Sequence, residues 1–346
     1  MRRLAVVCVL LAASCSPGGA FVLDVARDAS PEAVAEAATD EPVPAPEPVP
    51  DAVPEPEPDT VPEPVPEPEP EPAPEALPEH APDVPAPDLP KELPSPACRP
   101  DDDGIVTASE MAVAIGASVS YTVAIGDAVP IGDLAGTACG DLLCWDLSAP
   151  APGDAVVVDT VRLASDLWFG DRFGPGDFVV PLDPGDGTVG VYRKAEAGLL
   201  MTGIASEAEG ATCLVYAPPV LLLALPMKKF DSWETEAEAA GVHDGVEYPA
   251  DYGLMGTVRL FHRYSFLVNG DGRVTVPAGT FRALRVLLDL RMEARNSLNP
   301  VPVATQHRKV YDFVADCVGL VARVRSQDAE MKTFFSTATE YRRLGF

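Results

Sequence analysis

The acidic run Asp101-Asp102-Asp103, closed by Gly104 and followed by Glu110, is the stretch of this chain best equipped for chemistry. Alternate carboxylates ahead of a glycine, with one more further along, offer hard oxygen donors around a sharp turn, as a calcium ion requires. Asp101, Asp103 and Glu110 are therefore the candidate metal ligands.

Cysteine supplies the second chemistry, with seven in the chain. Cys8 lies inside an apolar N-terminal run and Cys15 ends it, which leaves Cys98, Cys139, Cys144, Cys213 and Cys317. An odd set forms at most two bridges and keeps one thiol. Cys139 and Cys144 enclose only Gly140-Asp141-Leu142-Leu143, so a local bridge is expected there. Cys213 with Cys317 is the second expected pair, because both sit in apolar strand-like runs. A zinc site would need more Cys or His at regular spacing, and His80, His243, His262 and His307 are scattered.

General acid-base work could draw on His243 with Asp244, or on Asp289. The chain carries no G-x-S-x-G, H-E-x-x-H or C-x-x-C, so no catalytic residues and no enzyme activity are expected. Gly185, Gly187 and Gly190 match G-x-G-x-x-G, but Val189, Val191 and Tyr192 continue as a strand where a dinucleotide site needs a helix. Apart from calcium, no cofactor is expected.

The acidic run resembles the second half of an EF-hand loop. Asp101 falls at the third ligand position, Asp103 at the fifth, and Glu110 at the place of the bidentate ligand. Arg99 stands at the first position and cannot coordinate a cation, and Pro100 spoils the entering helix. A capped, exposed turn is thus the alternative.

Location is written at the N-terminus. Arg2 and Arg3 precede the apolar run Leu4 to Ala13, the pattern of a signal peptide over residues 1–14 and too short for a membrane helix. Ala12-Ala13-Ser14-Cys15 resembles the bacterial lipobox, which implies acylation of Cys15 and membrane anchoring. Ser16 after that cysteine implies an outer-membrane destination. Cleavage after Gly18-Gly19-Ala20, discarding Cys15, is the competing reading.

Residues 15–97 read as a disordered tether. Positions 41–90 hold 20 prolines, 14 acidic residues and no Lys or Arg. Such a tract cannot bury a core and extends as polyproline II, reaching on the order of 150 Å. A net charge of −28, mostly in this tail, excludes a nucleic-acid partner, which needs a basic footprint.

Beyond Ala97 the pattern is mainly β, an antiparallel sheet or half-barrel, with a first region at 98–225 and a second at 226–346, or one continuous domain. Strand-like runs recur, among them Val119 to Ala124, Thr188 to Arg193, Thr212 to Tyr216, Thr257 to Val268 and Arg273 to Val276. Asp183 to Gly187 and Asn269-Gly270-Asp271-Gly272 are the expected turns between strands. Ser109 to Ala114 is the place for a short helix, while Ser232 to Ala240 alternates as a strand.

Val274-Thr275-Val276-Pro277-Ala278-Gly279-Thr280-Phe281, then Ala283-Leu284-Arg285-Val286 and Cys317-Val318-Gly319-Leu320-Val321, resemble the C-terminal β region of exported bacterial lipoproteins of unknown function. Those proteins are similar in outline to half-barrel lipoprotein carriers. The tether also looks like that of myxobacterial lipoproteins. The resemblance implies a turn at Pro277 and Gly279, Phe281 facing a concave surface, Gly319 starting a strand, and an entry segment ending at Trp233. Phe230 and Asp231 stand where that entry usually has a glycine. The functional expectation is a lipid-anchored envelope protein whose β domain binds an apolar ligand or a protein partner. A structural or adhesive role without ligand, or a weak calcium-binding module, are the alternatives.

Overall fold

In a computed structural model, the described residues are 98–111, 113–182 and 187–345. The signal segment 1–14, Cys15, the rest of the tether and, of the turn expected at Asp183 to Gly187, residues 183–186 lie outside them. The described chain is mainly β.

The first strands are β1 (Ile105–Val106), β2 (Ser118–Pro130), β3 (Thr137–Cys139), β4 (Leu142–Asp146), β5 (Ala155–Thr160) and β6 (Arg162–Leu163). Next come β7 (Phe178–Pro181), β8 (Thr188–Ala195), β9 (Gly198–Ser206), β10 (Cys213–Ala224), β11 (Met227–Lys228) and β12 (Ser232–His243). The last are β13 (Val246–Tyr248), β14 (Ala250–Asp251), β15 (Thr257–Val276), β16 (Gly279–Asn296), β17 (Asn299–Ala315), β18 (Gly319–Arg325) and β19 (Thr337–Leu344).

Strands β15 to β19 form an antiparallel meander. From β19 the wall passes to β2 and then to β5. After the short break at Val161 it continues from β6 through β7, β8 and β9 to β10. Strand β12 pairs with both β10 and β15, so the sheet closes into a barrel. Closure pairs the edges that an open half-barrel would expose. Strands from 98–225 and from 226–346 share this one wall.

Alternation makes β15 a wall strand. Its even-numbered residues are buried from Val258 to Val276, and its odd-numbered ones are half-buried or exposed. A cluster including Tyr121, Tyr192, Leu199, Tyr216, Tyr264, Phe266, Leu288 and Val310 draws on strands all round the wall and fills the lumen. A second cluster, with Trp145, Leu147, Val274, Tyr311, Phe313 and Tyr341, lies on the outer side of one stretch of wall.

Three expectations are corrected here. Asn269 to Gly272 is no hairpin, because β15 runs through it with a bulge between Val268 and Gly270. The parallel strand β4 pairs with β15 from Gly272 to Thr275, and a Cβ at Gly272 would run into the Leu143 carbonyl. The glycines therefore serve close approach, and the bulge moves the following even-numbered residues to the outer face.

Phe281 is consequently paired with Val274 and packs against the outer cluster instead of a concave surface. Ser109 and Glu110 lie in a turn closed by the Glu110 N–H donating to the Thr107 carbonyl at 3.1 Å, and the described residues between Ser109 and Ala114 form no helix.

The remaining motif residues take defined places. The turn between β15 and β16 contains Pro277, and Gly279 opens β16 at φ +136°. Gly319 starts β18 at φ +80°. Trp233 stacks on Phe266 at 4.9 Å and donates from Nε1 to the Leu221 carbonyl at 2.9 Å. Phe230, at the position where a glycine was expected, does adopt φ +77°.

Candidate functional site

The wall formed by β17, β18, β19, β2 and β5 turns charged side chains into the lumen. Ala322-Arg323-Val324-Arg325 alternates small or apolar residues with arginine, yet the whole of β18 is buried because the outer cluster covers its other face. Arg323 donates from Nε and Nη2 to Asp312 Oδ1 and Oδ2 at 2.7 and 3.0 Å, a bidentate fork. Arg342 donates from Nε to Glu340 Oε1 at 2.8 Å and from Nη1 to Asp159. Arg325 Nη2 lies 3.3 Å from Glu340 Oε2.

Three arginines thus face three carboxylates. Burial pushes Asp159 and Asp312 above the usual carboxylate range even though Arg342 and Arg323 pull them down. It pushes Glu340 up as well, but there Arg342, Arg325 and Arg323 together outweigh burial and hold the group below its ordinary value. Three cations against three anions leave the network no surplus charge with which to recruit an ion, although Asp159 Oδ1 and Glu340 Oε2 accept no hydrogen bond from a described residue.

A separate polar group lies on β10 and β15, where His262 Nδ1 is 2.9 Å from Tyr216 Oη, which is 3.2 Å from Tyr264 Oη. Burial, with His243 nearby, depresses His262 to about 3, so the ring is neutral.

The other site lies outside the lumen, where the chain enters the barrel. Cys98 is bridged to Cys317 in the β17–β18 turn, with Cα atoms 5.6 Å apart. This corrects the expected Cys213–Cys317 pair. Cys213 is a free, buried thiol that packs in a third cluster with Val189, Val191 and Phe169 on the outer face of β7 to β10. Cys139 and Cys144 are bridged across the β3–β4 turn.

The Cys98–Cys317 bridge sets the acidic run against that turn, and the Cys317 N–H donates to the Glu110 carbonyl at 3.0 Å. Carboxylate oxygens of Asp101, Glu110 and Asp316 all lie within 4.8 Å of one another. Asp103, the third ligand expected from the sequence, is not in this group. Its Oδ1 accepts the Ile105 N–H at 2.7 Å, so it closes the local turn. Asp101 Oδ1 accepts the Asp103 N–H at 3.1 Å, and Glu110 Oε2 accepts from Thr107 N and Oγ1 at 2.8 and 2.7 Å.

Asp316 is 9% exposed and accepts no hydrogen bond from a described residue. Burial, then Glu110, then Asp101, Asp103 and Asp102 push its carboxyl up to about 6. Asp316 also lines a cleft of about 490 Å³ with Pro100, Asp102, Phe281 and Arg282, which gives the group a route to solvent.

The acid-base candidates form two separate pairs. His243 Nδ1 is 3.3 Å from Asp244 Oδ2, and His307 Nε2 is 2.5 Å from Asp289 Oδ1. Residues missed from sequence were Cys98 and Asp316, together with the lumenal Asp159, Asp312, Arg323, Arg325, Glu340 and Arg342. The available signals were the odd cysteine count, the adjacency of Asp316 to Cys317, and charges at period two within β18 and β19.

No protein-family model matches the chain, and no curated protein matches it. Among solved structures, it is similar to a candidate lipoprotein from Parabacteroides distasonis at 11% identity, over 67% of this chain and 94% of that one, with a TM-score of 0.26. It is also similar to a candidate exported protein with a YmcC-like fold from Bacteroides fragilis, at 11% identity over 66% and 95% of the two chains and a TM-score of 0.21. Likenesses at these scores leave the functional reading to the chain's own residues.

Proposed function

We propose that this is an exported envelope protein, anchored in the outer membrane by a lipid on Cys15, whose barrel is a self-filled structural module that meets protein partners through its outer surface. On this reading it is not an enzyme and is not a container for lipid. The observation that carries it is the content of the lumen. Ligand sites are concave and largely apolar voids, whereas this lumen holds Tyr121 and Tyr192 beside the Arg323–Asp312 and Arg342–Glu340–Asp159 ion pairs, and a separate polar group of Tyr216, Tyr264 and His262.

The acidic proline tract supports display at a distance, since a polyproline II segment of 50 residues spans about 150 Å. Two measurements test the reading. Lipid extraction and mass spectrometry of the barrel purified from its host should yield no stoichiometric apolar ligand; a ligand released one-to-one on unfolding would overturn the self-filled reading. Intact mass of the membrane-extracted chain should show acylation, lost in Cys15→Ala. An unmodified N-terminus following Ala20 would overturn the anchor.

A further inference from the structure

We propose that Asp101, Glu110 and Asp316 bind one calcium ion, which joins the entry loop of the barrel to the β17–β18 turn beside the Cys98–Cys317 bridge. The proposal is independent of how the barrel is used. The three carboxylates come from segments about 200 residues apart in sequence, yet their oxygens converge within 4.8 Å.

Asp316 is the member that points to a ligand. The residue as a whole is nine-tenths buried, while its carboxylate faces two others at the edge of the cleft and takes no hydrogen bond from a described residue. Buried polar groups are otherwise partnered, and a buried charge is paired or coordinates a metal.

The donor set is all oxygen, which selects a hard cation over zinc or copper. Asp101 is exposed and Asp316 lines the open cleft, so an ion can enter and waters can complete the shell. The entry loop is held from two sides, by the bridge at Cys98 and by the Cys317 N–H on the Glu110 carbonyl. The ligands are thereby brought together before an ion arrives. A cation here would replace repulsion among three carboxylates with a shared bond at the point where a pull on the tether meets the barrel.

Calorimetric titration of the full, disulfide-intact chain with calcium chloride tests this. One equivalent should bind with Kd in the weak extracellular range, about 10⁻⁴ to 10⁻³ M, and the melting temperature should rise with calcium. Asp316→Asn keeps the side chain's shape and should weaken binding at least tenfold while melting cooperatively without calcium. Asp101→Asn, on an exposed side chain, should do the same. Absence of binding by the wild-type chain up to about 10 mM, ten times the weak end of that range, would overturn the proposal. So would undiminished binding by both variants, which would place the calcium on other acidic residues such as those of the proline tract.

Discussion

Acid should destabilise the barrel through His262, and the size of the effect follows from its place in the lumen. The ring is 4% exposed and sits among Tyr216, Tyr264 and the lining of β15. Its folded pKa is about 3 against 6.5 for a free histidine. As pH falls below about 6.5 the unfolded chain takes up a proton that the folded chain refuses. Stability therefore drops with falling pH, by up to roughly 1.4 kcal/mol per pH unit, until the folded ring also protonates near 3. The loss from this one group is about 2 kcal/mol at pH 5.

Urea unfolding of wild type and His262→Gln, with disulfides intact, at pH 7.5, 6.5, 5.5 and 5.0 isolates the effect, because glutamine does not titrate. Carboxylates common to both chains cancel in the difference. Asp316 is one of them: its raised pKa works in the opposite sense, adding stability as pH falls through about 6. The stability advantage of wild type over the variant should shrink by about 2 kcal/mol between pH 7.5 and 5.0. A gap that stays constant within about 0.5 kcal/mol, well below the roughly 2 kcal/mol expected, would refute a neutral, buried His262.

Three further outcomes follow from the same geometry. Arg323→Met should cost about 3–5 kcal/mol by stranding Asp312, whereas Arg323→Met with Asp312→Leu should recover most of it, because two apolar side chains replace a buried pair without leaving a charge; chemical denaturation of the three chains checks this. Cys317→Ser opens a loop between residues 219 apart and should lower stability by about 3–5 kcal/mol on chain-entropy grounds, read as the urea midpoint against the bridged chain. Phe230→Gly should raise stability by about 0.5–1 kcal/mol, since glycine takes a positive φ without steric cost; a lower midpoint would mean that the exposed ring of Phe230 contributes packing worth more than the strain.

Part of the architecture is legible from local pattern. Thr257 to Val268 alternates so regularly that its strand and its inward face can be assigned residue by residue, and Ser232 to Ala240 is a strand despite its helix-favouring glutamates and alanines. Period-two alternation depends only on which face is wet, so it survives translation into sequence. Turn chemistry is less safe. Asn269 to Gly272 has the composition of a hairpin, but its glycines are there to admit β4 and the Trp145 ring, which approaches a Cβ at Gly270 to 3.0 Å. The same composition suits both purposes, and only the neighbour decides between them.

The candidate site divides in the same way. Sequence alone determined the acidic run, with Asp101 and Glu110 available as ligands, because a carboxylate run before a glycine is a local property. It also determined the Cys139–Cys144 bridge, since four intervening residues leave the two side chains within reach. Tertiary structure decided that Asp103 closes a turn, that Asp316 rather than Asp103 lies with the carboxylates of Asp101 and Glu110, and that Cys98 rather than Cys213 bonds to Cys317. Each of those depends on which strands meet across some 200 residues, and pairing in a closed barrel is set by register and by which face each strand buries. The balance of Arg323, Arg325 and Arg342 against Asp159, Asp312 and Glu340 is likewise invisible along the chain, because charges that look solvent-exposed in sequence are driven inward once both faces of β18 are covered.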